Sequence, residues 1–239
     1  QTGLKNLMDR AIISRTEKEA KEHAILQNLD TSFQKIDELP FDFERRCMSV
    51  IVKDDSNVVS MVTKGALEEM LNISTYVEYR GEMIPLTEDI RQEVLAEVGQ
   101  LNRQGLRVLG VGYKSGLRED YAYAVTDESD MILTGYLAFL DPPKPSAAPA
   151  IQALLEHGVK TKILTGDNEK VTQAICEKVG LDVEHMLLGA DIDQMTDQEL
   201  AEAVESVTVF AKLSPDQKAR IILQLKKNGH GVGYMGDGI

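Results

Sequence analysis

The sequence lacks the long uncharged apolar run that a membrane-spanning helix requires, and nothing in it resembles a signal peptide. We therefore expect that these 239 residues do not themselves cross a membrane. The chain is also poor in positive charge, because 26 Lys and Arg residues stand against 39 Asp and Glu residues, giving a net charge of -13. Binding to a phosphate backbone normally needs a basic face, so the charge argues against nucleic acid as a partner.

Cysteine and histidine are scarce and scattered. The two cysteines, Cys47 and Cys176, lie far apart, and neither has a Cys or His neighbour at metal-ligand spacing. This pattern predicts two reduced, structural thiols in a cytosolic setting. The four histidines are equally dispersed and receive no role. The length fits about two modest domains, each large enough to bury its own core.

Strand-like segments dominate the sequence before Asp141. Alternating apolar residues predict strands at 47–53, 58–63, around Val77 and Ile84, at 106–113 and at 131–140. Helical spacing predicts helices at 4–15, 66–71 and 88–103, and the acidic stretch 119–130 is expected to be an exposed loop or edge. The first half is therefore expected to be an α+β domain, an antiparallel sheet with flanking helices.

Helices and strands alternate after Asp141. Helices are predicted at 147–156, 169–179, 197–204 and 215–227, and strands at 159–164, at 207–211 and around 232–235. Such alternation is typical of parallel βαβ units, so the second half is expected to be α/β. We place the domains at 1–140 and 141–239, with a hinge at 141–145. Pro142 and Pro143 should make this hinge an extended, semi-rigid crossing.

Four short motifs follow one another along the chain: Lys64-Gly65-Ala66, Asp141-Pro142-Pro143-Lys144, Thr165-Gly166-Asp167 and Gly236-Asp237-Gly238. Each alone is common in turns or linkers. The last two follow short apolar runs, where a parallel strand would end and a phosphate site would lie. In this order and context the chain resembles the P-type cation-transporting ATPases. Its opening stretch, 1–7, is similar to the bacterial magnesium-transporting branch.

The resemblance implies a fold and a function. The first half would be the nucleotide-binding domain, and the second an incomplete haloacid-dehalogenase-like phosphorylation domain. The function would be that of the cytoplasmic ATP-binding part of a pump, which couples ATP hydrolysis through an aspartyl-phosphate to transport of Mg²⁺, or of another cation such as Ca²⁺. The implied partners are ATP or ADP, Mg²⁺, and the membrane helices and actuator domain of the same pump. The location would be the cytoplasmic face of the cell membrane.

Two alternatives come from other functional classes. A soluble phosphohydrolase of the same fold superfamily would share Thr165, Lys218 and Asp237, but its cap would have no reason to carry the set formed by Phe41, Lys64 and Arg107. A module that binds ATP without transferring phosphate is the other alternative. The aspartate that is phosphorylated in the family lies in an upstream Asp-Lys-Thr-Gly motif, which does not occur in this sequence. Both ends are therefore expected to be cuts in a longer protein.

The resemblance assigns roles in the second half. Thr165 would hydrogen-bond the transferring phosphoryl group, Gly166 would let the backbone approach closely, and Asp167 would organise the site around metal and nucleotide. The alternative is a tight turn in which Asp167 caps the next helix. Lys218 would stabilise phosphate charge, unless it is only a solvated lysine. Lys212 stands where many relatives have Arg, and Asp237 would supply an oxygen ligand to Mg²⁺.

Nucleotide-binding residues are expected in the first half. Phe41 would stack on adenine, the alternative being that Phe41 and Phe43 are core residues of the sheet. Lys64 ends an alternating strand and precedes Gly65, so its ammonium should point into a cleft with a floor of bare backbone. Arg107 matches a family position that reaches the phosphates, and a surface ion pair is its alternative.

Overall fold

The chain divides into two compact units in a computed structural model that describes residues 7–21 and 29–236. The first unit comprises residues up to 93 together with 108–139, and the second comprises 94–107 together with the chain from 140 onward. Residues 94–107 thus group with the second unit, although they lie in the first half of the sequence. The domain boundary at residue 140 and the hinge at 141–145 stay predictions.

Seven strands form the main sheet. They are β1 (Phe33–Leu39), β2 (Cys47–Asp54), β3 (Val59–Ala66), β4 (Ser74–Tyr79), β5 (Glu82–Pro85), β6 (Leu106–Ser115) and β7 (Met131–Leu140), in the spatial order β1-β2-β3-β6-β7-β4-β5. Four helices accompany them: α1 (Leu7–Glu19), α2 (Leu29–Ser32), α3 (Leu67–Asn72) and α4 (Glu88–Arg103). This mixed sheet with flanking helices is consistent with the expected α+β domain.

The prediction of a purely antiparallel sheet is wrong for one pair of strands, β4 and β7. Strands β1, β2, β3 and β6 pair antiparallel, as do β4 and β5, but β4 and β7 pair parallel. A tight hairpin forces antiparallel pairing, whereas β4 and β7 are separated in the chain by β5, α4 and β6. The long connection therefore allows the parallel arrangement, which no local sequence signal announces.

Tight turns join β2 to β3 and β4 to β5, and both pairs are antiparallel. In the turn between β2 and β3, Asp54 Oδ1 accepts hydrogen bonds from the amides of Ser56 and Val58, both at 2.9 Å, and Asn57 has a φ of 62°. Between β4 and β5, Arg80 and Gly81 have φ values of 53° and 81°. Two successive residues with positive φ are typical of the type I′ turn that matches the twist of a hairpin.

The core of the first unit follows from the alternation along β2 and β3. Cys47, Ser49 and Ile51 of β2 are buried, as are Val59, Met61 and Thr63 of β3, because every second side chain faces the same side of the sheet. Strand β1 is absent from the sequence-based prediction. The stretch 119–130 has little regular structure apart from a short 3₁₀ helix at Val125–Asp127, as expected, but its Glu128 is buried.

The second unit contains a three-stranded parallel sheet in the order β8-β10-β9. Its strands are β8 (Ile163–Leu164), β9 (Met186–Leu188) and β10 (Val209–Ala211). Its helices include α5 (Ala147–Glu156), α6 (Glu169–Lys178), α7 (Gly189–Gln194), α8 (Asp197–Ser206) and α9 (Pro215–Lys227). The core gathers around the fully buried Phe210, with Leu200 and Ile221 packed in the same cluster. The alternation of helices and strands predicted for this half is confirmed.

Side-chain caps fix where the helices of the second unit begin. Asn168 Oδ1 accepts from the amide of Val171 at 2.9 Å at the start of α6. Ser214 caps α9 and Gln217 bonds back to the amide of Ser214 at 2.8 Å, with Pro215 at the first helical position. This reciprocal cap satisfies backbone amides that lack partners within the helix. The predicted start of α9 is therefore confirmed.

The strand predicted around 232–235 is wrong, because residues 230–236 adopt no regular secondary structure. Gly231, Gly233 and Gly236 leave this segment few side chains with which to pack as a strand. The opening stretch at 1–6 and the metal-ligand prediction for Asp237 lie outside the described residues. Within the ranges 7–21 and 29–236, no helix is both long enough and apolar enough to span a bilayer.

Candidate functional site

Phe41 lies in the 40–46 loop, the segment that joins β1 to β2. Phe41 is 49% exposed and Phe43 is 59% exposed, so neither is a core residue of the sheet. The two rings meet edge to face, with centroids 5.3 Å apart and planes at 84°. An exposed ring held in this way offers an aromatic face for stacking by a flat ligand.

Hydrogen bonds from backbone amides to the Asp42 side chain fix the shape of the 40–46 loop. Asp42 Oδ1 accepts from the amides of Glu44 at 2.9 Å and Arg45 at 2.7 Å. The pKa of the Asp42 carboxyl is lowered, first by the Arg45 amide and then by the Arg45 guanidinium. The amide of Ala66 donates to the Arg46 carbonyl at 3.0 Å, so the loop is attached to the end of β3.

Lys64 and Gly65 lie at that same end of β3. Lys64 pairs across the sheet with Met48 and Val111, and its ammonium forms an ion pair with Asp9 of α1. A Cβ added at Gly65 would lie 2.5 Å from Cys47 Cβ and 2.7 Å from the Arg46 carbonyl oxygen. The space beside Gly65 is therefore filled by β2, and this glycine is required for close strand packing.

The predicted residues of the first unit thus meet at one end of the β2–β3 pair. Gly65 pairs with Cys47, Lys64 pairs with Met48, and the 40–46 loop leads directly into β2. Within the described part of the chain, no hydrogen bond or ring contact joins Phe41 to Lys64. The structure brings the two backbones to the same end of the sheet and leaves each side chain with its own partner.

Glu128 joins this end of the sheet from a distant part of the chain, and the sequence analysis did not identify it. Its side chain is 3% exposed, forms an ion pair with Arg45 and accepts from Ser49 Oγ at 2.5 Å. Ser49 in turn shares a hydrogen bond of 2.7 Å with Thr63, and Cys47 Sγ lies 3.7 Å from Glu128 Oε2. We call Glu128, Arg45, Cys47, Ser49 and Thr63 the Glu128 network.

The Glu128 network raises the pKa of both Arg45 and Cys47. Burial alone would lower the pKa of Arg45, but its hydrogen bonds with Glu128 and Asp42 raise it on balance. Burial raises the pKa of the Cys47 thiol to about 11, and the Glu128 charge adds to the effect. The thiol is therefore neutral at pH 7. Cys47 and Cys176 are both buried and free, as the sequence predicts.

Thr165, Gly166 and Asp167 form the loop that follows β8 in the second unit. The amide of Thr165 donates to the Phe210 carbonyl at 3.0 Å, and the amide of Leu213 donates to the Thr165 carbonyl at 3.0 Å. The Asp167 amide donates to Thr165 Oγ1 at 3.1 Å. The ends of the parallel strands β8 and β10 thus lie together, at the edge where α/β proteins bind ligands.

Arg107 is linked to two carboxylates of this region. Its guanidinium lies 2.9 Å from Asp167 Oδ2 and 3.0 Å from Asp141 Oδ2. Arg107 therefore forms ion pairs, which was the alternative to a phosphate-binding role. Asp167 does not cap α6, because Asn168 does so. Arg107 thus lies between Asp141 and Asp167, and Asp167 belongs to the loop that carries Thr165.

The two lysines of this half differ in their surroundings. Lys212 has a φ of 53°, and its ammonium lies 3.2 Å from Glu169 Oε2. Burial would raise the pKa of Glu169, but its own backbone amide and Lys212 together lower it. Lys218 lies in the first turn of α9, and its side chain makes no ion pair or hydrogen bond with the described part of the chain. A Cβ added at Gly166 would make only an ordinary contact, 3.5 Å from the Leu213 carbonyl oxygen.

The ligand sets that proteins use for metal ions include groups of His, Cys, Asp and Glu side chains. No group of three or more His, Cys, Asp or Glu side chains within 7–21 and 29–236 is arranged to hold an ion. Several contacts of the two sites had no signal in the sequence, because Asp9, Glu128 and Asp141 meet their partners only through the fold. Charge alone could not have identified them among 39 acidic residues.

The comparisons with known proteins agree on one family. The family model described as P-type ATPase, cytoplasmic domain N, matches residues 3–146. The chain is 48% identical over 239 residues to a magnesium-transporting ATPase, P-type 1, of Salmonella typhimurium, and 47% identical to that of Escherichia coli K12; each alignment covers 100% of this chain and 26% of the relative. A calcium-transporting ATPase of Listeria monocytogenes is 34% identical over 204 residues, 84% of this chain and 23% of its own length. The chain thus spans about a quarter of the length of these relatives.

Proposed function

The chain belongs to the P-type ATPase family, whose cytoplasmic domain N matches residues 3–146, and on that premise we propose that it is the ATP-binding part of a cation pump. The pump would couple ATP hydrolysis, through an aspartyl-phosphate, to transport of a cation across a membrane. Mg²⁺ is the favoured cation, because the magnesium-transporting relatives are 47–48% identical and the calcium-transporting relative 34%. The chain would act at the cytoplasmic face, beside the membrane helices and actuator domain of the same pump.

The observation that carries the proposal is the exposed Phe41 ring on its anchored loop. Adenine is a flat heterocycle, and stacking on such a ring binds it without demanding many hydrogen bonds. Lys64 lies at the same end of the β2–β3 pair, where its ammonium would attract nucleotide phosphates. These residues fit ATP or ADP, with Gly65 keeping the two strands close enough to hold both groups in place.

The second unit would provide the phosphorylation machinery of a haloacid-dehalogenase-like domain. Thr165 and the backbone at Gly166 would bind the phosphoryl group, Asp167 would organise the metal and nucleotide, and Lys218 would offset phosphate charge. Lys212 and Arg107 would add positive charge, and an arriving phosphate would compete with the acids that pair with Arg107. Asp237 would supply an oxygen to Mg²⁺, which neutralises phosphate charge when bound.

A soluble phosphohydrolase is the second candidate, because Thr165, Lys218 and Asp237 would serve it equally. Such an enzyme would not need an exposed aromatic ring and a lysine together at one end of a separate sheet. The family match over residues 3–146 covers the part of the chain that carries this pair, which favours the pump.

We expect Phe41→Ala to weaken ATP and ADP binding at least about fivefold without unfolding the protein, because stacking contributes roughly 1 kcal/mol beyond the buried area. Phe33→Ala is the matched control, since Phe33 is similarly exposed but pairs with Asp54 at the opposite end of β2. Calorimetric titration measures both. Equal affinities for wild type and Phe41→Ala would remove Phe41 from the site, and no binding by wild type would refute the proposed function.

The ion pair between Asp9 and Lys64 should compete with a bound phosphate. Asp9→Asn removes a negative charge and releases the ammonium, so we expect nucleotide affinity to rise about two- to fivefold at low salt and less at high salt. Asp55→Asn makes the same charge change in the β2–β3 turn, far along the strands from Lys64. An equal gain for both variants would show only a general effect of net charge.

The polypeptide should bind nucleotide without becoming phosphorylated. Transfer needs a carboxylate held in line with the γ-phosphate, and the sequence has no Asp-Lys-Thr-Gly motif. Incubation with γ-labelled ATP and Mg²⁺, followed by an acid quench, should leave no label on the chain. Acid-stable, hydroxylamine-sensitive label would mean that an aspartate within these residues is the acceptor.

A further inference from the structure

We propose that Glu128 is a positioning residue for nucleotide binding, acting through Arg45 on the loop that carries Phe41. The inference rests on the proposed function, because it assumes that Phe41 contacts the nucleotide. Glu128 and Arg45 are 83 residues apart in sequence, and their ion pair is almost closed to solvent. Glu128 is buried and lies outside the 40–46 loop, so its effect on binding would pass through that loop.

The Arg45 guanidinium holds both neighbours of Phe41. Its Nε donates to the Asp42 carboxylate and a terminal nitrogen donates to the Pro40 carbonyl. Its remaining terminal nitrogen donates to Glu128. Because the guanidinium is a planar fork, fixing one branch on Glu128 also fixes the direction of the other two. The backbone on either side of Phe41 is thus tied to one buried carboxylate.

Glu128 is itself fixed by the sheet. Ser49 of β2 donates to Glu128 Oε1, and Thr63 of β3 hydrogen-bonds Ser49. These strand residues are buried, so the carboxylate is held by the most regular part of the first unit. Its attraction for Arg45 is less screened by salt than that of a surface pair, because the two side chains are only 13% and 3% exposed. The network therefore transmits the rigidity of the sheet to the exposed loop.

An exposed aromatic ring needs such support in order to bind well. The core cannot fix the Phe41 ring, which is about half exposed, and its described ring contact is with the equally exposed Phe43. A loop that is already ordered loses less conformational freedom when a ligand binds. Weakening the hold of Glu128 on Arg45 should therefore reduce nucleotide affinity even though Phe41 itself is unchanged.

The test is a double-mutant cycle with Glu128→Gln and Phe41→Ala. Glutamine keeps the size of the side chain and an acceptor for Ser49 but loses the charge that holds Arg45. We expect Glu128→Gln to weaken ATP binding about two- to fivefold, no more than Phe41→Ala does, and to have little further effect in the Phe41→Ala background. Glu119→Gln is the matched control, because Glu119 lies in the same acidic segment but pairs with Lys53 at an exposed site.

A second measurement needs no nucleotide. The amides of Glu44 and Arg45 donate to Asp42, so their hydrogen exchange reports the order of the loop. Exchange at these amides should be faster in Glu128→Gln and unchanged in Glu119→Gln. Equal losses of affinity in both Phe41 backgrounds, or unchanged exchange, would overturn the positioning role. Normal ATP binding by Glu128→Gln would overturn the positioning role and leave the proposed function intact. Absence of ATP binding by the wild-type protein would overturn both.

Discussion

Arg45→Met is expected to lower the free energy of unfolding of the first unit by about 3–5 kcal/mol, because it leaves Glu128 as a buried carboxylate without a cation. The Glu128 side chain is 3% exposed, so water cannot replace the lost partner. Methionine keeps most of the apolar volume of the arginine stem, which limits the loss of packing. Urea denaturation followed by tyrosine fluorescence measures the effect, since all tyrosines but Tyr234 lie in the first unit.

Removing the charge of Glu128 as well should restore part of that stability. The double variant Arg45→Met/Glu128→Gln is expected to be more stable than Arg45→Met, because the uncompensated charge is gone. Lys53→Met is the control, since its partner Glu119 is 50% exposed and such surface pairs contribute about 0–1 kcal/mol. A loss of less than about 1 kcal/mol in Arg45→Met would show that the Arg45–Glu128 pair behaves like a surface pair.

Gly65→Ala is expected to cost about 3 kcal/mol of stability, the upper end of the range for overpacking. The new methyl group would lie 2.5 Å from Cys47 Cβ, 2.7 Å from the Arg46 carbonyl oxygen and 2.9 Å from Cys47 Cα. Two of these are backbone atoms, which a rotamer change cannot move away. The strands must therefore separate where β2 and β3 pair.

The same variant should weaken nucleotide binding, because the displaced segment carries the hydrogen bond from Ala66 to Arg46 and leads into the 40–46 loop. Gly233→Ala is the control for stability, since a Cβ there meets nothing within 4 Å. An unchanged denaturation midpoint for Gly65→Ala would mean that β2 and β3 adjust freely. Loss of stability with unchanged ATP affinity would separate strand packing from the nucleotide site.

Periodicity, alternation and capping residues correctly predicted several helices and strands. Helix α4 at 88–103 and helix α9 at 215–227 begin and end where periodicity and caps place them. The alternation of apolar residues predicted β2 and β3. Strand β9 has only three residues, too few for a periodic pattern, and the apolar residues at 232–235 formed no strand between glycines.

The sequence alone did not predict which residues, far apart in the chain, contact one another in the fold. Arg107 and Asp167 were candidate site residues in the sequence, but neither their pairing nor the contact of Arg107 with Asp141 was predicted. Glu128 looked like one more acid in a solvated stretch, because burial depends on which strands surround it. The parallel pairing of β4 with β7 likewise depends on the path of the whole chain. The roles assigned to the site residues stay predictions.

The second unit takes residues 94–107 from the middle of the segment that precedes Asp141, and this affects how the chain can be divided for expression. Lys178 of α6 donates to the Gln104 carbonyl at 3.3 Å, and a Cβ at Gly105 would lie 3.1 Å from the Lys178 ammonium. A polypeptide ending at residue 140 would retain Gln104 and Gly105 but discard Lys178. The second half of α4, whose Val98, Gly99 and Asn102 are buried here, would then lose contacts with the second unit. Low solubility of such a truncated protein would therefore reflect the position of the cut. It would not show that the sheet fails to fold.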